Sequence, residues 1–245
     1  MSAPTAPPPS PPPPADLRRT LVLANRILYR QGVVDGFGHV SARDPAHAAR
    51  FLLSRSLAPG RVTRDDLMTF DLDGNALDGD ARAPYLERFI HGEIYRARPD
   101  VAAVVHSHSP SVIPFGAVRR PLRPLYHMSS FIGAASAIFE IRDVAGDTDL
   151  LIRDRPLGAA LARALGDSSV VLMRGHGSTV VGGSVEEAVF RAVYTEINAR
   201  LQAQALTLGD PVFLSEGEAA RATATNRSVL ARAWDLWTQD AGPVD

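Results

Sequence analysis

Two histidines one residue apart, His106 and His108, close an apolar run, and a third, His176, stands between glycines in Arg174-Gly175-His176-Gly177. Imidazole nitrogen binds zinc, manganese, cobalt or iron, so three such side chains can hold one divalent ion and leave coordination positions for a substrate. In extended backbone, residues i and i+2 project to the same face, which lets His106 and His108 reach one ion from a strand end. Gly175 and Gly177 allow a sharp turn that leaves the His176 imidazole projecting. Each feature alone reads equally as a solvated strand end or an ordinary turn; together they point to a metal centre. Glu87 precedes His91 by one helical turn, so two ionisable groups share a face. That carboxylate can be a ligand, a base, or a surface charge beside Arg88 and Glu93.

These side chains need a scaffold, which the apolar pattern predicts. Asp16 is expected to cap a helix running to Gln31, with Leu17, Leu21, Ala24, Ile27 and Leu28 on one stripe and Gly32 closing it. Strands are expected at 39–43, 51–54 and 68–72, the last ending at the turn Asp73-Gly74. Pro84 should open a helix to about Ala97, 101–106 should be a buried strand, and Ser109 should start another helix. Further strands are expected at 150–153 and 170–173. Ser184-x-x-Glu187 reads as a capping box for a helix reaching Leu208, and Ser215-x-x-Glu218 opens the last helix, which carries Trp234 and Trp237. Strands mixed with helices, without a βαβ rhythm or internal repeat, predict an α/β protein with a sheet of mixed strand direction.

At 245 residues and 45% hydrophobic, the chain can bury one sizeable core; one domain over 16–245 is expected, although the length also allows two smaller ones. With 26 Lys plus Arg against 27 Asp plus Glu, no global field favours nucleic acid or an anionic membrane. The expected partner is therefore a small molecule. No cysteine is present, which excludes disulfides, thiolate ligands and a cysteine nucleophile. Residues 1–15 hold eight of the nineteen prolines and no positive charge, so an extended or disordered tail is expected, with a PPPP run that an SH3-like partner could bind. The stretch resembles neither a secretory signal nor a transit peptide, and no apolar stretch approaches the roughly 20 residues that span a bilayer. A cytoplasmic protein is expected.

Over 17–209 the chain resembles the class II aldolase/adducin family. Gly38-His39-Val40-Ser41-Ala42-Arg43, Glu87 nineteen residues before His106-x-His108, and Gly-His-Gly before a long capped helix carry the resemblance. It implies a three-layer α/β/α fold around a mixed, largely antiparallel sheet. It further implies one divalent ion per subunit on His106, His108 and His176, Glu87 as acid/base and sometimes also a ligand, and homotetramers with sites near subunit interfaces. A residue from a neighbour's C-terminal region can complete such a site; here the final helix carries Arg221, Arg227, Trp234 and Trp237. Adducin-like members lacking the ligands are non-catalytic, and this chain keeps all four residues.

The departures concern substrate choice. Sugar-phosphate aldolases of the family hold phosphate with an asparagine, a Thr-Gly turn and paired serines. Here those places hold His39, Ser54-Arg55-Ser56-Leu57 and Tyr85-Leu86. Arg55 offers a planar fork suited to a carboxylate. His127 falls where those aldolases place a tyrosine that protonates the leaving fragment, and an imidazole there suits proton transfer near neutral pH. The stretches 54–60, 139–143 and 172–177 are similar to the aromatic-acid decarboxylase branch, which acts on hydroxylated pyridine dicarboxylates and dihydroxyphthalates. The resemblance thus implies a metal-dependent lyase that decarboxylates a hydroxylated aromatic or heteroaromatic acid. Glu87 and His127 would be catalytic, and Arg55, Ser56, His39 and Arg174 would hold substrate. An aldolase or dehydratase, an iron-dependent oxygenase and a non-catalytic interaction module are the alternatives. His91 is expected to support its helix or hydrogen-bond near the site, His47 to lie in a loop, and Asp35 and Tyr126 to lie by the pocket without a separable role.

Overall fold

The computed structural model describes residues 14–77 and 79–244, so the proline-rich stretch up to residue 13 lies outside the described residues. One seven-stranded sheet organises the chain: β1 (His39–Arg43), β2 (Arg50–Ser54), β3 (Leu67–Asp71), β4 (Ala103–Ser107), β5 (Ala137–Phe139), β6 (Val170–Met173) and β7 (Gly177–Gly182). Their spatial order is β3-β2-β1-β4-β7-β6-β5, antiparallel throughout except for the parallel pair β5–β6. The helices are α1 (Pro14–Arg30), α2 (Arg88–Ala97), the short α3 (Ile113–Ala117) and α4 (Arg142–Ala145), α5 (Arg155–Leu165), α6 (Val185–Leu208) and α7 (Glu216–Ala241).

Strand alternation divides the apolar residues between two cores, as a sheet covered on both faces requires. Ala103 and Val105 of β4 pack with Leu21 and Ile27 of α1, Val189 of α6 and Trp237 of α7. Val104 packs on the other face with Ile90, Ile94 and Tyr95 of α2 and Leu161 of α5. By the same alternation His39, Ser41 and His106 project toward the α2 and α5 layer. Ile94 and Leu161 are fully buried there, and truncating either to alanine would cost about 2–5 kcal/mol. Trp237 packs on its own chain, 6.3 Å from Tyr194 between ring centroids.

Several sequence expectations change, each for a local reason. α1 starts at Pro14, so Asp16 lies inside the helix and not at its cap. α2 starts at Arg88 because Pro84 stays extended, bridged to Arg55, which leaves Glu87 at the helix N-cap. The helix expected from Ser109 begins only at Ile113: the Ser109 hydroxyl and the Ser111 amide both donate to the Glu196 carboxylate. No strand forms at 150–153. Leu150 has a left-handed φ of 70°, and the segment's polar groups serve other partners. The short β5, the glycine-flanked β7 and the arginine- and alanine-rich α5 were not expected. Ser184 caps α6 by accepting from the Glu187 amide, but the Glu187 carboxylate turns to the Gly183 amide and Arg191, so only half of that capping box forms. The Ser215 box is complete.

Arg174, in the β6–β7 turn, grips Glu140 with two bonds of 2.6 and 2.8 Å, and Arg119 adds a third at 2.8 Å. These contacts tie the end of β5 to the hairpin that carries His176. Hydrogen bonds from Arg174 hold Glu140 at about 2, below its usual 4.5. A depressed carboxylate pKa stabilises the fold fully above the ordinary value and loses that stabilisation as pH falls through the folded one. Glu140→Gln should therefore lower Tm by a few degrees at pH 7, with the gap to wild type closing between pH 4.5 and 2. A constant gap across that range in thermal melts would show that the charge plays no part.

Candidate metal centre

β4 runs between β1 and β7, with His106 opposite His39 on one side and Thr179 on the other. His106 is wholly buried, and His108 follows just past the strand end. The β6–β7 turn brings His176 over them. Gly175 supplies the left-handed φ of 69° that this turn needs. Gly177 serves a different purpose: a Cβ there would sit 2.0 Å from the Ser107 carbonyl oxygen and 3.0 Å from His108 Cα. Bare backbone is what lets β7 close against β4 where the two ligand segments meet.

Glu87 enters from the N-cap of α2. Its Oε1 accepts from the Ile152 amide at 2.9 Å, while Oε2 stands 3.4 Å from both His106 Nε2 and His176 Nε2. One ligand atom from each of Glu87, His106, His108 and His176 lies within 4.8 Å of all the others. His176 Nδ1 is 2.9 Å from the Leu150 carbonyl, which can only accept, so the proton sits on Nδ1 and Nε2 presents its lone pair. His108 Nε2 faces that lone pair at 2.9 Å. The 3.4 Å approach of Glu87 is not aligned as a hydrogen bond, and His106 Nε2 is a buried nitrogen without a hydrogen-bond partner among the described residues. Three converging imidazole nitrogens and a carboxylate, with one nitrogen orphaned and one tautomer fixed by a carbonyl, fit a divalent cation.

The electrostatics favour the ligating forms. Burial would raise the Glu87 pKa, but His106 and His176 outweigh it and hold the group far below the usual carboxylate range. Burial, with His106 and His176 nearby, lowers His108 to about 4, so it is neutral at pH 7. His176 moves the other way: burial lowers it, but the Glu87 contact outweighs this and raises it above 6.5.

The cluster opens on a cavity of about 640 Å³, lined by Phe37, His39, Ser56, Leu57, Tyr85, Leu86, Glu87, His106, His108 and Leu151 among others. Phe37 and Leu86 are more than half exposed at its rim. No arginine lines it among the described residues. Of the expected substrate contacts, His39 and Ser56 are in place. Arg55 and Arg174 are not: the Arg55 fork lies 2.6 Å from Asp66, and Arg174 is committed to Glu140. Both arginines have an acid partner that comes near only through folding: Asp66 takes the Arg55 Nε, and Glu140 takes two nitrogens of Arg174. His127 is exposed at the start of a 3-10 turn and does not line the cavity of its own chain. Asp35 accepts from the Phe37 amide and shapes the rim loop. His91 hydrogen-bonds His39 at 2.7 Å and Ser41 at 2.6 Å, as expected of a support. Tyr85 lines the cavity at a place the family resemblance had put in the substrate pocket, whereas Phe37 and Leu151 were missed; as apolar or aromatic loop residues they carried no periodic signal.

Two measurements test this geometry. As pH falls, His176 is the ligand that protonates early because its pKa is raised, and a protonated imidazole cannot ligate. Metal content should be retained on dialysis at pH 7.5 and fall at pH 5; unchanged content at pH 5 would remove the imidazoles from the ligand set. Gly177→Ala forces β7 away from Ser107 and should cut metal affinity at least about tenfold, the scale on which ligand-positioning changes act, as read by competition with a chelator. Wild-type affinity would mean the close approach is dispensable.

Known proteins bear on this arrangement at two levels. The class II aldolase and adducin N-terminal domain matches residues 19–203. The decarboxylase tropJ of Talaromyces stipitatus is 42% identical over 248 residues, covering 91% of this chain and 92% of that protein. The 3,4-dihydroxyphthalate decarboxylase of Arthrobacter keyseri is 35% identical over 205 residues, covering 80% and 81%. The structure of L-fuculose 1-phosphate aldolase from Glaciozyma antarctica superposes with a TM-score of 0.76 at 24% identity, covering 93% and 88%, which supports the fold. With the sheet, the ligand cluster and these matches in agreement, the chain belongs to the class II aldolase and adducin family.

Proposed function

We propose that the protein is a divalent-metal-dependent lyase that releases carbon dioxide from a hydroxylated aromatic or heteroaromatic carboxylate. The observation that carries this reading is the pocket itself: a three-histidine, one-carboxylate cluster opens on a cavity walled by Phe37, Tyr85, Leu57, Leu86 and Leu151, with no arginine to seat a phosphate. Flat apolar walls suit a ring, and the two decarboxylase relatives point to the same reaction class. The chain contains no lysine, so no Schiff base can act as the electron sink. A divalent ion, when bound, would supply that sink by drawing off the negative charge that develops on substrate oxygen as the carbon–carbon bond breaks. Zinc, manganese, cobalt and iron all suit this donor set.

The protein's own groups divide the remaining work. His106, His108 and His176 would hold the ion, with Glu87 Oε2 at their centre. Glu87 is ionised and fixed by the Ile152 amide, so Oε2 is the atom that would take a proton from the substrate and return it to the ring carbon that loses carbon dioxide. Ser56 and His39 would orient the carboxylate. We extend the proposal to a homotetramer: His127 lies outside its own chain's cavity, so a proton-transfer role for it is one across a subunit interface. Val118, Leu208 and Val212 are apolar and strongly exposed, as an interface would require.

The test is carbon dioxide release from hydroxylated phthalates and pyridine dicarboxylates by the metal-loaded protein. Release without oxygen consumption supports decarboxylation. Oxygen uptake with iron would replace it by an oxygenase reading, and cleavage of a hydroxy-acid without carbon dioxide by an aldolase one. Glu87→Gln should lower turnover at least about a hundredfold, the range of a lost acid/base, with metal still bound. Full turnover in that variant would remove Glu87 from the chemistry.

A further inference from the structure

Behind the pocket wall, on the sheet face covered by α2, four side chains form one hydrogen-bonded line that the ligand cluster does not use. His39 Nδ1 lies 2.7 Å from His91 Nε2, Ser41 Oγ lies 2.6 Å from His91 Nδ1, and Tyr95 Oη lies 2.7 Å from Ser41 Oγ. All four residues are buried, and His39 alone among them reaches the cavity. His39 Nε2 has no partner among the described residues, so it is the nitrogen left for whatever occupies the cavity.

Donor counting gives the line a direction. The Tyr95 phenol is fully buried, and burial pushes its pKa well above the ordinary phenol value, so it keeps its proton. The side-chain hydrogen bond of its hydroxyl is to Ser41 Oγ, at 2.7 Å. Ser41 Oγ is thus the acceptor open to the phenol proton. Ser41 then donates its own proton to His91 Nδ1, which must be bare. His91 is lowered to about 3, by burial first and by His106 second, so it is a neutral ring whose one proton sits on Nε2 and points at His39 Nδ1. His39, likewise lowered by burial, carries its single proton on Nε2. Running the line the other way would leave the phenol proton without an acceptor in the interior.

We propose that Tyr95, Ser41 and His91 lock His39 as the Nε2–H tautomer, making it a neutral hydrogen-bond donor to an anionic carboxylate or phenolate oxygen in the cavity. That the occupant carries a carboxylate rests on the decarboxylase reading; the tautomer does not. His39 lies 5.0 Å from His106 between ring centroids but outside the cluster of four converging ligand groups. Its bond is stronger to an anionic oxygen than to a neutral hydroxyl, which can also accept it. His91, Ser41 and Tyr95 are positioning residues in this scheme.

The tautomer can be read directly from long-range ¹H–¹⁵N spectra of the zinc-loaded, ¹⁵N-histidine-labelled full chain, with His39 assigned from His39→Gln. A bare Nδ1 and a protonated Nε2 are expected; the reverse pattern overturns the proposal. His91→Phe, whose ring can stack on Phe51 as His91 does, removes the donor to Nδ1. It should give a mixture of His39 tautomers and raise KM for a dihydroxyphthalate about tenfold, the loss of roughly one hydrogen bond to a charged group, with a smaller change in kcat. His91→Gln keeps an N–H for Nδ1 and should restore most of the affinity. Equal KM in wild type and His91→Phe would also overturn the proposal. If His91→Phe does not fold, the wild-type spectrum decides alone, and if the wild type releases no carbon dioxide, the function fails while the spectrum still reports the tautomer.

Discussion

A carboxylate buried among imidazoles is costly unless positive charge and hydrogen bonds offset its desolvation, and in this protein Glu87 sets that constraint. The effective penalty for one buried ion is several kcal/mol even after relaxation. Only part of it is met by the Ile152 amide at 2.9 Å and by neighbouring histidines that stop short of hydrogen-bonding geometry. A divalent cation at the centre would meet the rest, which is why the donor set and the burial belong together. The scaffold is arranged so that neither the carboxylate nor the nitrogens can relax away. His106 is locked in a central strand paired on both sides, and His176 is held by a carbonyl.

The segment 150–152 shows how this demand shapes the backbone. An apolar run of that composition would ordinarily join a sheet, where its carbonyls and amides pair with a neighbouring strand. Here the Leu150 carbonyl fixes the His176 tautomer and the Ile152 amide fixes Glu87, while Leu151 lines the cavity between them. The left-handed conformation at Leu150 is the strain that accompanies this, of order 1–3 kcal/mol for a residue of this kind. One short strap therefore positions both Glu87 and His176.

How much of this was legible in the sequence depends on where each partner lies. The three histidines were legible because short apolar runs announced β4 and β6, and alternation placed His106 and His108 on one face. β1, the extent of α6 and the caps at Ser184 and Ser215 were readable for the same reason: the signal is local. Glu87 was ambiguous from its residues, since its setting is an N-cap created by a Pro84 bridge to a strand far back in the chain. The surroundings of Arg55 and Arg174 had no sequence signal, because Asp66 and Glu140 reach them only after folding. The β5 and β7 strands escaped notice, one for its three-residue length and the other because its flanking glycines read as turns. The Tyr95–Ser41–His91 line joins a helix to a strand and has no sequence pattern at all.

The two halves of the site are built from different materials. The ion-holding half sits on paired strands and close main-chain contacts, where β7 meets β4 at Gly177 with no room for a side chain. The cavity wall, Phe37, Leu57, Tyr85, Leu86 and Leu151, sits on connecting segments, with Phe37 and Leu86 more than half exposed. Such a division separates shape from charge: a substitution at the rim reshapes the cavity without touching the strands and turns that carry the ionisable groups.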